Sequence, residues 1–309
     1  MNCSIVIRAY NEEKHIGRLL EGIRQQTFKD VEILLVDSGS TDGTVSVAES
    51  FGARIIRIPP TEFTFGRSLN CGVRAARREL VVIASAHVYP VYPDWLESLL
   101  HPFEDENVAL TYGKQRGPAS AHFSEQQIYQ QWYPDRSQPR QSTAFCNNAN
   151  AAIRRSLWEK NPYDESLTGL EDLAWAKWAK EQGYDIAYVA EAEIIHVHNE
   201  TPDGVFNRYR REGMAFKQIY PEAHFSLYDF VRLTTMNILS DLWHAAREGL
   251  MWKNISSIFR FRYMQFHGTR MGYRESGLLT PQLRETFYYA RERKPNEGAQ
   301  RDIEPIRYN

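Results

Sequence analysis

Residues 31–44 have the sequence VEILLVDSGSTDGT, in which six residues of β-strand character run directly into a turn rich in glycine, serine and aspartate. A carboxylate just after a buried strand, here Asp37, can accept hydrogen bonds from a base or a ribose, and the turn lets a ligand approach the backbone. Asp37 could equally cap the turn or the next helix, because Asp-Ser-Gly commonly does so. No G-x-G-x-x-G follows the first strand, so a dinucleotide-binding domain is not indicated.

Strands and helices alternate on both sides of this stretch. The sequence predicts strands at residues 4–9, 31–36, 54–58 and 80–84, and helices at 12–26, 44–51 and 70–78. This alternation predicts an α/β fold with a mostly parallel sheet and helices on both faces. Ligands bind such sheets at the carboxyl ends of the strands, which points to the loops after Ile7, Val36 and Ala84.

Charge and composition change along the 309 residues. Lys and Arg number 20 against 27 Asp and Glu over residues 1–200, a balance of −7, whereas residues 201–309 have 17 against 12, a balance of +5. From about residue 206 the pattern is helical and rich in aromatics and arginine. We therefore expect one domain at 1–204 and a helical C-terminal extension at 205–309 with different partners. The net charge of −2 does not favour nucleic-acid binding.

Residues 249–274 carry five Lys or Arg and no acidic residue, interleaved with aromatic side chains. This composition suits peripheral contact with an anionic membrane surface, and the alternative is an ordinary amphipathic helix packed on the first domain. Three widely spaced cysteines without a C-x-x-C pair favour a reducing cytosol. No apolar run approaches the roughly 18 residues of a membrane span. We expect a cytoplasmic protein, or one peripheral on the inner face of a membrane.

Two motifs carry a resemblance to a known family. IVIRAYNEE at residues 5–13 and LVDSGSTDGT at residues 35–44 resemble, in order and spacing, the opening motifs of family 2 glycosyltransferases. That resemblance covers roughly residues 3–200 and implies a GT-A fold and a nucleotide-sugar donor. It implies that Ala9, Asn11 and Asp37 line the nucleotide pocket, with Asp37 on the base or ribose.

The segment FGRSLNCG at residues 65–72 is similar to the next stretch of the family. The similarity implies that Arg67 or Asn70 lies near the donor diphosphate. Arg67 could instead be a solvated surface arginine. The diphosphate gains negative charge as it leaves the sugar, so the reaction needs a cation beside it.

The family presents Asp-x-Asp after its fourth strand, but this chain has Ser85-Ala86-His87 there. Mg²⁺ prefers oxygen ligands, whereas imidazole suits later transition metals and can serve Mn²⁺ in mixed sites. The pattern resembles the Asp-x-His of polypeptide N-acetylgalactosaminyltransferases, in which a later strand supplies a further histidine. Here His196 and His198 would share one side of such a strand.

This resemblance implies a divalent metal, Mn²⁺ in preference to Mg²⁺, held by His87 with His196 and His198. It also implies that Ala86 lies at the nucleotide. The alternative is that all three histidines make only structural hydrogen bonds, in which case Arg67 or another cation would stabilise the leaving group.

The pair Glu171-Asp172 opens an evident helix. Carboxylates are stabilised in a first helical turn, so the pair could be only a helix start. By resemblance it is the catalytic acidic pair, and we assign the base to Asp172 with Glu171 as the alternative. An inverting transfer needs one carboxylate to deprotonate the acceptor hydroxyl.

Three further residues are candidates for sugar recognition. By resemblance Asn148 and Asn150 border the donor sugar and the acceptor, and amides recognise hydroxyls through paired donors and acceptors. They could equally be turn-forming asparagines. Trp175 could stack on a sugar, although a tryptophan in a helix is more often part of the core.

We therefore predict a glycosyltransferase that moves one sugar from a nucleotide donor to a saccharide or lipid-linked saccharide during surface polysaccharide or glycan assembly. The Gln-x-x-Arg-Trp motif of processive family members is absent from the sequence, which favours transfer of a single residue. One alternative is a degenerate GT-A domain that only binds a nucleotide sugar or acts as a scaffold. Another is a nucleotidyltransferase, although the first loop is not glycine-rich. The oligomeric state stays open.

Overall fold

The apolar runs of the first 85 residues form parallel strands in a computed structural model that describes residues 2–198, 200–275, 278–279 and 303–308. The strands of the main sheet are β1 (Cys3–Ala9), β2 (Val31–Asp37), β3 (Arg54–Arg57), β4 (Leu80–Ser85), β5 (Val88–Pro90), β6 (Val108–Arg116), β7 (Asn150–Arg154) and β8 (Asp185–His196). They are ordered β3-β2-β1-β4-β7-β6-β8-β5.

The pairing divides the sheet into two parts. Strands β1 to β4 are mutually parallel, as the alternation of strands and helices predicts. Strand β7 runs antiparallel to β4 and to β6, β8 is parallel to β6, and β5 is antiparallel to β8. The sheet is therefore mixed, and its parallel part carries the predicted donor loops.

Helices cover both faces of the sheet, which confirms the predicted α/β architecture. The helices of this part are α1 (Glu13–Arg24), α2 (Thr44–Ser50), α3 (Phe65–Ala75), α4 (Trp95–Leu100), α5 (Phe123–Trp132), α6 (Arg155–Lys160) and α7 (Glu171–Glu181). Strand β1 is buried on both sides: Ile5 and Ile7 pack in the cluster that includes α1 and α4, and Val6 packs in the cluster that includes α3 and α7. Strands buried on two faces are near-continuously apolar for this reason.

The C-terminal part is helical where the structure describes it. It consists of α8 (Pro202–Ile219), α9 (Leu227–Arg247) and α10 (Met251–Glu275), with a small pair of strands, β9 (Glu222–Ala223) and β10 (Leu278–Leu279). Helix α10 packs along α8 and α9 and also touches α5. No helix in the described ranges is both long enough and apolar enough to cross a membrane. The division at residue 204 stays a prediction.

Candidate active site

A cavity of about 490 Å³ opens at the carboxyl ends of β1 and β4. Its walls come from elements far apart in the chain: Arg8 lies near the end of β1, Glu12 follows that strand, His87 follows β4, and Asp172 opens α7. Helices α5 and α8 close the remaining side. The position agrees with the rule that open parallel sheets bind ligands beyond the carboxyl ends of their strands.

The three predicted metal-ligand histidines meet in this cavity. Antiparallel pairing of β5 with β8 places Val88 opposite His196, and the Val197 N–H donates to the His87 carbonyl at 3.0 Å. The His87 and His196 rings stack with centroids 5.1 Å apart, and those of His196 and His198 are 4.0 Å apart. One ring nitrogen from each histidine lies within 4.8 Å of the others, so the cluster could hold one metal ion.

The protonation of two of these histidines also suits a metal. Burial lowers the pKa of His196 and of His198 well below the usual range, so both rings are neutral at neutral pH. A neutral imidazole keeps the lone pair that a metal needs. Nδ1 of His196 lies 2.8 Å from Gln115 Oε1, while its buried Nε2 has no hydrogen-bond partner among the described residues. The residues present therefore fit a divalent ion.

Glu12 adds a carboxylate that the motif comparison did not single out. Its Oε1 lies 2.7 Å from Nδ1 of His87, and Ser85 Oγ lies 3.1 Å from Nε2 of the same ring. Glu12 is part of the IVIRAYNEE motif, so its place in the sequence was visible, but its proximity to residue 87 depends on the parallel pairing of β1 with β4.

The acidic pair is buried and lines the same cavity. Leu170, with φ of 56°, precedes α7 and turns Glu171 and Asp172 inwards. The Asp172 carboxylate accepts the Asn148 N–H at 2.9 Å and the Leu173 N–H at 2.8 Å. Glu171 lies 3.5 Å from the Arg8 guanidinium.

The environment of Asp172 prepares it for proton transfer near neutral pH. Burial, and then the carboxylate of Glu171, raise the pKa of Asp172 to about 7. Catalytic efficiency is greatest when the pKa of a base lies near the working pH. Asn148 lines the same cavity and fixes one carboxylate oxygen through its backbone.

A buried charged network forms the wall near His198. Arg208 of α8 forms an ion pair with Glu200 at 2.9 Å and donates to Glu125 of α5 at 3.2 Å, and Glu125 also lies 2.8 Å from Nδ1 of His198. Glu125, His198 and Glu200 are close enough to resemble a second metal site, but Arg208 already supplies the positive charge there. Sequence reasoning missed this network, because its members belong to helices and a loop without any motif.

Two further arginines lie against one aromatic ring in the cavity. The guanidinium of Arg8 lies 4.8 Å from the Phe65 ring centroid, and that of Arg211 lies 4.7 Å from it. Cation–π contacts of this kind orient the guanidinium groups. Both arginines line the cavity beside the acidic pair, so they add positive charge where an anionic substrate would enter.

The loops that follow β1 and β2, which are predicted to bind the nucleotide, are joined by hydrogen bonds. The Asp37 carboxylate accepts the N–H groups of Gly39 and Ser40 at 3.2 and 3.1 Å. Asn11, with φ of 54°, accepts the Thr41 N–H at 2.8 Å through Oδ1. These contacts explain the turn residues structurally, and the nucleotide-binding role of Asp37 and Asn11 stays a prediction. Ala9 pairs with Asp37 across the two strands.

Two predicted asparagines are structural. Asn70 accepts the Trp158 indole N–H at 2.9 Å and the Tyr163 N–H at 3.0 Å. Asn150 accepts the Trp95 indole N–H at 2.9 Å and donates to the Ala192 carbonyl at 2.8 Å. Because these bonds engage both buried amides, the structure corrects their assignment to diphosphate and sugar.

Trp175 is also misassigned by the sequence. Its side chain is 1% exposed, packs in the core and donates to the Asn161 carbonyl at 2.8 Å, so it cannot stack on a sugar there. Ala86 is buried in the other core cluster, which leaves its side chain no contact with a nucleotide. Arg67 pairs with Glu62 and, at 3.4 Å, with Glu165 outside the cavity.

The fold defines a class of protein: those with the GT-A fold. The structure of a mannosyltransferase from Pyrobaculum calidifontis, in complex with GDP-Man and Mn²⁺, matches with a TM-score of 0.62, at 18% identity, over 88% of this chain and 86% of that one.

The family follows from the sequence itself. Glycosyl transferase family 2 matches residues 4–161, and the chain belongs to this family. The chain is 31% identical to the O-antigen chain rhamnosyltransferase of Salmonella anatum, over 68% of its own length and 71% of the relative. It is 28% identical to that of Salmonella typhimurium, over 69% and 72%.

Proposed function

We propose that this glycosyltransferase transfers one rhamnose from a nucleotide-rhamnose donor to a saccharide or lipid-linked saccharide in surface polysaccharide assembly. The observation that carries the proposal is the cavity that Asp172, with its raised pKa, lines together with a cluster of three histidines. The choice of a deoxyhexose rests on the two rhamnosyltransferase relatives.

Asp172 is the proposed base. It removes the proton of the acceptor hydroxyl as that oxygen bonds to the anomeric carbon, while the bond from this carbon to the diphosphate breaks. Attack from the side opposite the leaving group inverts the configuration. The N–H groups of Asn148 and Leu173 hold the carboxylate in place, and Arg8 keeps Glu171 paired beside it.

His87, His196 and His198 are the proposed ligands of a divalent metal, with Mn²⁺ preferred to Mg²⁺ because imidazole is a poor ligand for Mg²⁺. When bound, the ion supplies positive charge to the diphosphate leaving group. The unpartnered Nε2 of His196 supports this assignment. Ala9, Asn11 and Asp37 are proposed to hold the nucleotide, and Arg67 stays a proposed diphosphate contact.

We propose that residues 205–309 form an extension distinct from the domain at 1–204, and that residues 249–274 contribute a peripheral membrane contact at the cytoplasmic face. The abundance of arginine and aromatic residues supports both proposals. A lipid-linked acceptor would be met at such a surface.

The test is transfer by the purified chain. Nucleotide-activated rhamnose, mannose and glucose are each supplied with Mn²⁺ and a saccharide acceptor, and mass spectrometry detects the product. We expect addition of one deoxyhexose from the rhamnose donor, and none with Asp172→Asn. If donors stabilise the fold thermally but none is transferred, the chain is a binding subunit. Transfer of mannose alone would refute the choice of sugar.

A further inference from the structure

Helix α9 exposes a long apolar face. Six large apolar side chains of this helix are between 54% and 69% exposed: Leu227, Tyr228, Val231, Met236, Leu239 and Trp243. They recur at helical spacing over about 24 Å. Apolar surfaces this extended on a soluble protein mark interaction sites.

Helix α10 continues this face. Trp252 is 81% exposed, and Phe259 and Tyr263 are about half exposed on the same helix. The Tyr263 ring packs edge-on against Phe230 of α9 with centroids 6.0 Å apart, so the exposed rows of the two helices adjoin there. We refer to the exposed apolar residues of α9 and α10 together as the hairpin face.

The sequence pattern at 249–274 located this face only in part. Phe261 and Phe266 of that segment are buried, and Arg262 is buried in an ion pair with Asp241 at 2.7 Å. These residues attach α10 to the protein. The larger apolar row is on α9, which the basic-aromatic pattern did not include.

The hairpin face is accompanied by positive charge. Exposed cations are spread along both helices: Arg232, Arg247, Lys253, Arg260 and Arg274. Asp229 is buried in the capping box of α9, and Asp241 is buried against Arg262. Glu248 is therefore the one exposed carboxylate between residues 227 and 274, all of which the structure describes.

We propose that the hairpin face binds an anionic lipid membrane. A symmetric dimer would place this face against its own copy, and so would bring like charges together in an apolar contact. A membrane with anionic headgroups complements both properties, since the apolar side chains enter the interface while the cations meet the headgroups. Trp243, with Arg247 stacked 4.7 Å from its ring, combines both kinds of contact.

Helices α9 and α10 pack against the helices that form the walls of the catalytic cavity. Phe123 of α5 packs with Ile238 of α9 and Ile258 of α10. Ile128 of α5 packs with Tyr209 of α8 and Phe261 of α10. Because α5 and α8 line the cavity, binding at the hairpin face holds the cavity at a set height above the lipid. Binding at this face extends to α9 the membrane contact proposed above for residues 249–274, and its consequence for the cavity rests on the proposed lipid-linked acceptor.

The experiment is co-sedimentation of the full chain with vesicles of phosphatidylcholine, with and without phosphatidylglycerol. We expect binding to the anionic vesicles only, decreasing with salt. Leu239→Ser with Trp243→Ser, and separately Arg247→Glu with Lys253→Glu, should each lower the partition coefficient by roughly tenfold or more. Transfer to a soluble saccharide should be unchanged in both.

The matched control is Arg24→Glu with Arg77→Glu, which makes the same charge change on the exposed surface of the sheet domain. It should sediment like the wild type. Any of three results would overturn the proposal. The control could lose as much vesicle binding as the test variants, or the wild type could fail to bind vesicles. Gel filtration could also show a dimer that Leu239→Ser with Trp243→Ser abolishes. Vesicle binding without any sugar transfer would refute the proposed transfer activity and leave this inference standing.

Discussion

Replacing Asp172 with asparagine separates its catalytic role from its structural one. The amide keeps the shape of the side chain but cannot accept the acceptor's proton, so the transfer rate should fall by about 10²–10⁴-fold. Donor affinity should persist, because the carboxylate bonds to the N–H groups of Asn148 and Leu173 and not to a nucleotide loop. The measurement is single-turnover transfer at saturating donor, beside calorimetric donor binding.

The same substitution should change stability in a pH-dependent way. The pKa of Asp172 is about 7 in the fold, above the value of about 3.9 expected when unfolded. The contribution of Asp172 to wild-type stability is therefore fully present below about pH 4 and is lost as the pH rises towards 7, by at most about 4 kcal/mol. Asparagine escapes this loss but gives up one backbone hydrogen bond, worth about 1–3 kcal/mol.

The melting temperature of Asp172→Asn, relative to that of the wild type, should therefore increase from pH 5 to pH 8. Wild-type transfer should rise with pH over the same interval as Asp172 loses its proton. As a comparison, Glu171→Gln removes the neighbouring charge that raises the pKa, so its pH–rate profile should shift to lower pH. A near wild-type rate for Asp172→Asn would refute the assignment and make Glu171 the candidate.

His196→Ala should abolish the binding of Mn²⁺ in the presence of nucleoside diphosphate, as measured by electron paramagnetic resonance. The control is His101→Ala, which changes an exposed histidine and should leave Mn²⁺ binding intact. If His196→Ala still bound Mn²⁺, the histidine cluster would be excluded as the metal site. Asp37→Ala should weaken calorimetric nucleotide affinity by roughly tenfold at unchanged circular dichroism, and equal affinity would remove Asp37 from the site. Trp175→Ala should lower the free energy of unfolding by about 3–5 kcal/mol in urea titrations; an intact stability with lost acceptor affinity would restore the sugar-stacking role.

The parallel half of the sheet was predictable because its central strands, β1 and β4, are buried on two faces and so are near-continuously apolar. The histidine cluster was predictable in part, since strand alternation places His196 and His198 on one side. Its third member, His87, could be associated with them only through the family resemblance. The antiparallel pairing that brings it there joins residues more than a hundred positions apart.

The errors have a common physical cause. Asn70, Asn150 and Trp175 are residue types that bind sugars and phosphates well, but the same hydrogen-bonding groups also satisfy buried partners. Whether an amide meets an indole or a ligand depends on packing between distant segments, which local pattern does not contain. The network of Arg208 with Glu125 was missed for the same reason.

The pairing of β5 with β8 has a consequence for the history of the site. Val88 stands opposite His196, so the backbone positions of residues 87 and 196 are set by the sheet and not by which side chains they carry. Exchange of His87 for aspartate requires one nucleotide change and no movement of the main chain. Related enzymes could therefore move between carboxylate-rich and imidazole-rich donor sets, and so follow the metals available to the cell, while the scaffold stays constant.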